Sequence, residues 1–299
     1  MHADQRPMLA LGLRLLSAVV FSVMFLLVKL TGQRGVWLPE TMFWRQVIPA
    51  LGIFTYLAAR GQLPRLRTAR PWIHARRAAI GTCGMFLTLG VVRILPLAEA
   101  TVLGFTTPMF AVILSALLLR EHIGPWRWTA VVLGLAGVIV MAGIDHAQLP
   151  LLGVMVGISA AFAVALVTIQ VRDLARTEEP LTVVFYFSTF SLPVLAPFLF
   201  FSDLHHDAIT WAMIVGIGLS GLAGQVLMTA ALRFGSVASV IVMDYSSLGW
   251  ATLWGWLVFD HLPPAATWIG GPLIMAAGLV IAWREHVLLR ERAAALLNA

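Results

Sequence analysis

A chain of 299 residues that is 60% hydrophobic and only 11% charged, with a mean hydropathy of +0.90, lacks the charged shell that a soluble domain of this size needs. Its net charge of +6 comes from nineteen arginines and one lysine set between apolar runs rather than along one amphipathic face, which excludes nucleic-acid binding as the meaning of the basic excess. The single cysteine, Cys83, excludes an intrachain disulfide and a cysteine-based metal cluster.

A helix needs roughly 20 apolar residues to cross the hydrocarbon. Ten stretches qualify, at about 9–30, 37–59, 77–94, 97–119, 127–144, 151–171, 181–201, 209–232, 236–258 and 265–283. The first is longer than a signal-peptide core and reads as a retained span. It carries Phe21 and Phe25, with Lys29 near its end. Arg45 lies about two turns into the second span and reads as a snorkelling cation or as a partner for Glu99. The segment Arg60 to Arg77 is the largest basic cluster and reads as a topology anchor against anionic lipid. The third span holds Phe86. Arg93-Ile94-Leu95-Pro96 leaves room only for a tight hairpin before the fourth. That fourth span starts with Glu99, continues through Phe105, and is broken by Thr106-Thr107-Pro108, where proline removes a backbone donor.

In the sixth span stands Phe162. The eighth reads Gly216-x-Gly218-x-Ser220-Gly221-x-Ala223-Gly224-Gln225, with Met228 following. Its small residues suit close helix packing, and Gln225 could serve a cavity as amide donor and acceptor. In the ninth span Asp244 lies about 12 Å along the axis, at 1.5 Å per residue, followed by Tyr245 and Ser246. A carboxylate at that depth is expensive, so it reads as a proton, cation or substrate-amine contact, or as a structural acid bonded to a neighbouring helix. With the N-terminus inside, sixteen basic residues fall at inner ends and four at outer ends. This places both termini in the cytoplasm.

Two copies of one unit are legible. Arg93-Ile94-Leu95-Pro96-Leu97-Ala98 resembles Arg233-Phe234-Gly235-Ser236-Val237-Ala238 at an offset of 140. Each opens a helix ending in acid-His, Glu121-His122 or Asp260-His261, followed by a Gly/Pro turn and a Trp-containing helix. Five spans per copy is an odd number, so the second copy, 151–299, is inverted relative to the first, 1–150. Inverted repeats in membrane proteins signal alternating access around a midplane site.

The pattern Leu97-Ala98-Glu99-Ala100-Thr101 through Pro108 to Leu118-Leu119-Arg120-Glu121, then Gly134-Leu135-Ala136-Gly137-Val138, resembles the fourth and fifth helices of the EamA type in the drug/metabolite transporter superfamily. The chain departs from it at Phe21, where a Trp is common, and at Asp260, where Glu is more usual. Within the family the chain most resembles the YddG-type exporters of aromatic and other neutral amino acids. The resemblance implies an all-α membrane protein of ten helices around a central cavity. Candidate cavity residues are Phe21, Phe25, Phe86, Phe105, Thr106, Thr107, Phe162, Gln225, Met228, Asp244, Tyr245 and Ser246. Asp244, Glu99, Arg45 and Pro108 are the candidates for coupling or gating. The expected partners are a small-molecule substrate and the lipid bilayer of the inner membrane. No catalytic residue, metal or cofactor is expected, and a monomer suffices for the pathway. Broad drug or amphiphile efflux and nucleotide-sugar transport are the alternatives. An intramembrane enzyme is the rival of another class, but no HExxH, paired-acid or nucleophile–base motif accompanies the acids.

Overall fold

The computed structural model describes residues 7–119, 124–142, 149–175, 177–234 and 243–297. Every regular element among them is helical: α1 (Pro7–Gln33), α2 (Leu38–Ala59), α3 (Pro71–Ile94), α4 (Leu97–Gly104), α5 (Thr107–Leu119), α6 (Pro125–Ala142), α7 (Leu151–Leu174), α8 (Pro180–Leu195), α9 (Ala208–Phe234), α10 (Ser246–Phe259) and α11 (Ala265–Leu297). Short 3-10 turns at Leu63–Leu66 and Ala196–Phe201 follow α2 and α8. Proline opens α2, α3 and α8, at positions whose N–H has no helical partner. Asp260 ends α10 in the left-handed conformation, and the next N–H, of His261, reaches back to Gly255 O at 2.9 Å.

Among the described residues, eight helices are long and apolar enough to cross a membrane by length and composition. α2 has the length, at 22 residues, but it hides Glu40, Thr41, Arg45 and Gln46 on its buried side, and these lower its hydropathy. The first part of the ninth expected span lies at 235–242, outside the described residues, as do the repeat motifs Glu121-His122 and Gly235 to Ala238; α10 is the second part of that span. Large apolar side chains such as Leu51, Phe54, Leu135, Trp268 and Ile269 face outward, as lipid-facing residues must, while Glu40, Arg45, Arg77 and Glu99 are turned in.

The two halves pack as an inverted pair. α1 lies on α9 and α7 lies on α3. α2 contacts α9 and α8 contacts α3. α1 touches α10, and α7 touches α4 and α5. α2 meets α8, α4 meets α10, and α6 meets α11. Exchanging the halves leaves this set of contacts unchanged, which is what a pseudo-two-fold axis requires. Phe105 and Tyr245, 140 residues apart, meet edge to face at 4.9 Å between ring centroids. Each lies in a helix break. One lies between α4 and α5, where Thr106 and Thr107 donate to Leu103 O and Gly104 O. The other is the turn at Tyr245, where Ser246 and Ser247 donate to Met243 O and Asp244 O. Away from this centre, α6 and α11 cross at bare backbone. A Cβ on Gly137 would stand 2.8 Å from Gly270 O, and one on Gly270 2.5 Å from Gly137 O; only glycine permits that approach.

Candidate functional site

Between the halves lies a cavity of about 570 Å³. Helical periodicity builds its walls. α1 contributes Arg14, Ala18, Phe21, Ser22 and Phe25; α3 contributes Arg77, Gly81, Gly84, Met85 and Thr88; α7 contributes Gly157, Ala161, Val164 and Thr168; α9 contributes Gln225, Met228 and Leu232. Each set recurs every three or four residues, so it forms one stripe. α6 adds only Arg127, and α11 only Ile281 and Ala282. The lining reaches Arg14, Arg127 and Leu232 at one end. At the other it stops at Val92 and Leu97.

Beyond Val92 the chain is tied shut. Lys29 Nζ donates to Val92 O at 3.1 Å and Leu95 O at 2.6 Å, capping carbonyls that the end of α3 leaves unpaired. Arg93 donates to Val36 O and Thr41 Oγ1, each at 2.7 Å. Glu99 is fully buried, 3.4 Å from His261 Nε2, and Glu40 meets His206 Nε2 at 2.8 Å. In the loop below, Asp207 accepts from Thr210 N–H at 3.0 Å. The side-chain and backbone hydrogen bonds from Thr210 hold its carboxyl below the usual range.

Of the candidate residues, Phe21, Phe25, Phe105, Thr107, Gln225, Met228, Asp244, Tyr245, Arg45 and Pro108 line the cavity. Phe21 and Phe25 stack at 6.4 Å, and Trp254 donates to Ser22 Oγ at 3.1 Å beside them. Four expectations on placement fail. Phe86 is 48% exposed, since it follows Met85 and is turned about 100° from the cavity stripe. Phe162 follows Ala161, faces outward for the same reason, and packs edge-on against Phe110 at 5.7 Å. Thr106 is buried, with its hydroxyl spent on Leu103 O. Ser246 gives its place on the wall to Ser247. Gly218 and Gly221 are packing glycines that receive Ile48 and Arg45 of α2.

The charges depart furthest from the sequence reading. Asp244 is not alone: Arg14 of α1 grips it with two hydrogen bonds, Nε to Oδ1 and Nη2 to Oδ2, the second at 2.6 Å. Arg45 neither snorkels nor pairs with Glu99. It is 5% exposed, and it donates to the sulfurs of Met24 at 3.3 Å and Met85 at 2.8 Å and to Gln46 Oε1 at 3.1 Å. The basic cluster is divided. Arg65 and Arg70 bind Glu179 and Asp173 at 2.5 and 2.6 Å, whereas Arg77 is buried in the cavity wall over the Phe187 ring, 4.1 Å from its centroid. Arg14, Arg77 and Arg127 were not expected in the site. The available signal for Arg77 was the run Arg77-Gly81-Gly84-Thr88, which puts it on the small-residue face of its helix.

A pathway-sized cavity between two inverted helical halves, sealed at one end, is the architecture of a membrane transporter. The profile of the EamA-like transporter family matches twice, over residues 8–143 and 151–283, and the chain belongs to that family. It is 29% identical over 274 residues to the pseudopaline exporter CntI of Pseudomonas aeruginosa (strain UCBPP-PA14), covering 90% of this chain and 94% of the other. It is 28% identical over 247 residues to a riboflavin transporter of Vibrio cholerae, covering 80% and 81%. With an S-adenosylmethionine uptake transporter of Rickettsia prowazekii it shares 25% identity over 271 residues, covering 91% of each. A solved crystal structure superposes with a TM-score of 0.60 at 19% identity, over 90% of this chain and 97% of the other, which shows a common fold.

Proposed function

We propose that this protein is a secondary transporter of the inner membrane, with cytoplasmic termini, that exports amino acids or metabolites of similar size by alternating access of its halves, 1–150 and 151–299. The observation that carries the reading is the cavity. Both halves contribute to it, and its lining runs to the end where Arg14 and Arg127 stand but stops short of Lys29. The arginine-rich end is cytoplasmic by the distribution of basic residues, so this conformer is open inward and closed outward. The stacked Phe21–Phe25 pair and Phe105 offer an apolar surface to a side chain, and Gln225, Thr107 and Ser247 offer polar contacts to a head group.

The test is efflux and counterflow in liposomes with a radiolabelled amino-acid panel, to which riboflavin and S-adenosylmethionine are added, with and without a pH gradient. Saturable counterflow of at least one amino acid is expected. Flux of riboflavin or S-adenosylmethionine without any amino acid overturns the amino-acid assignment and leaves the transporter. No saturable flux of any compound overturns the transport reading.

A further inference from the structure

Among the described residues, four arginines and one carboxylate are the charged residues of the cavity wall: Arg14, Arg45, Arg77, Arg127 and Asp244. Arg14 and Asp244 compensate each other. Arg45 and Arg77, 5% and 2% exposed, meet no acid among the described residues. The hydrogens of Arg45 go to two thioethers and a glutamine, and a thioether is a weak acceptor. Arg77 Nε and Nη1 are buried without any hydrogen-bond partner. The acids of the surrounding helices are engaged elsewhere: Glu40 by His206, Glu99 by His261, Asp173 by Arg70, Glu178 by Thr68, and Glu179 by Arg65.

The two guanidinium groups are also neighbours. That of Arg77 lies in the space left by the absent side chain of Gly81, and that of Arg45 rests on Met85. Those residues are one turn apart on α3, about 6 Å along the axis. Gly221, the counterpart of Gly81 at the offset of 140, packs closely on Arg45, whose Cγ and Nε a Cβ there would meet at 3.3 Å. Gly81 therefore clears space for the Arg77 guanidinium, and Gly221 lets α9 pack closely on Arg45, both at mid-helix.

A guanidinium does not escape burial by losing its proton, so a buried one without an acid is uncompensated until something anionic arrives. We propose that Arg45 and Arg77 together form the receptor for the carboxylate of the transported molecule, and that this protein carries small carboxylate-bearing metabolites, acidic ones in preference to neutral or cationic ones. The proposal rests on the transporter reading above and narrows its substrate class. The planar fork of arginine matches a carboxylate with two parallel bonds. The apolar remainder of the molecule then lies against Phe187 and Met85, towards Phe21.

The experiment uses the full chain in nanodiscs of phosphatidylcholine alone and measures equilibrium binding by calorimetry. The probes are 3-phenylpropionate, its amide and 2-phenylethylamine, which share one apolar body, then succinate, citrate, inorganic phosphate and phenyl phosphate. Binding of carboxylates is expected, with the amide and amine about tenfold or more weaker. Arg77→Gln and Arg45→Gln should each weaken carboxylate binding by about tenfold to a hundredfold while leaving amide binding unchanged. Arg77→Lys, which keeps the charge, should recover part of the loss and serves if the glutamine variant fails to fold. Equal binding of amide and carboxylate, wild-type carboxylate affinity in both glutamine variants, or no binding of any carboxylate at millimolar concentration overturns the proposal. Tighter binding of phosphate or phenyl phosphate than of every carboxylate overturns the carboxylate assignment. Counterflow in liposomes separates the two readings. Carboxylate flux that neither Arg77→Gln nor Arg45→Gln alters sinks the receptor and keeps the transporter. Arginine-dependent carboxylate binding without any flux does the reverse.

Discussion

Asp244→Asn probes the connection between stability and transport most directly, because Asp244 is held by Arg14 across the two halves of the fold. The asparagine keeps the volume and one acceptor but removes the charge opposite the guanidinium. Breaking a fully buried ion pair costs about 3–5 kcal/mol, whereas an exposed pair contributes about 0.2–1 kcal/mol. The side chains of Arg14 and Asp244 are 18% and 29% exposed, between those limits, so a loss of about 2 kcal/mol is expected. Arg14→Gln should cost a similar amount. The double variant should cost clearly less than the sum, with a coupling of about 1–2 kcal/mol. Unfolding in mixed micelles with increasing dodecyl sulfate, followed by tryptophan fluorescence, measures all four corners of the cycle. Counterflow on the same preparations reads function. If the singles add to within about 0.5 kcal/mol, the pair does not exist in the folded protein. If the pair is real but Asp244→Asn transports with wild-type kinetics and pH dependence, Asp244 is a strut between α1 and its own span and plays no part in substrate or proton handling.

Pro108 follows the break between α4 and α5, where its missing N–H displaces no helical bond. Pro108→Ala should therefore fold normally but slow turnover by joining the two segments, and unchanged turnover in liposomes would make the proline architectural. Gly224 faces the Phe21 ring, which a Cβ would approach to 2.8 Å. Gly224→Val should destabilise by about 1–3 kcal/mol through overpacking and push Phe21 into the cavity, which unfolding and transport assays both read. In a background with Cys83 replaced, single cysteines at Thr88 or Thr168 on the cavity wall should react with a water-soluble maleimide. Cysteines at Val132 or Leu135, which face outward from α6, should not. The opposite pattern of labelling would contradict the placement of α6 at the back of the molecule.

Hydropathy along the chain was enough to locate the helices seen among the described residues, because crossing the hydrocarbon demands a long apolar run whatever the neighbours are. The offset of 140 was enough to pair the halves, and the fourth span does break, at Phe105 and Thr106, just before Thr107 and Pro108. What the sequence left open was the azimuth of each helix. In water an amphipathic stripe separates inside from outside, but lipid and protein interior are both apolar, so Phe86 and Phe25 look alike in sequence although only Phe25 faces the cavity. For the same reason Arg45 could be read as a snorkelling cation and Arg77 as part of a lipid anchor. Only packing decided otherwise, with α2 turned so that Arg45 enters beside Gly221, and α3 turned so that Arg77 folds over Gly81. The pairing of Arg14 with Asp244 joins residues 230 positions apart, and nothing local to either residue encodes it. Distance along a helix axis is written in composition. Direction around that axis, which determines what the cavity can bind, exists only once the helices have met.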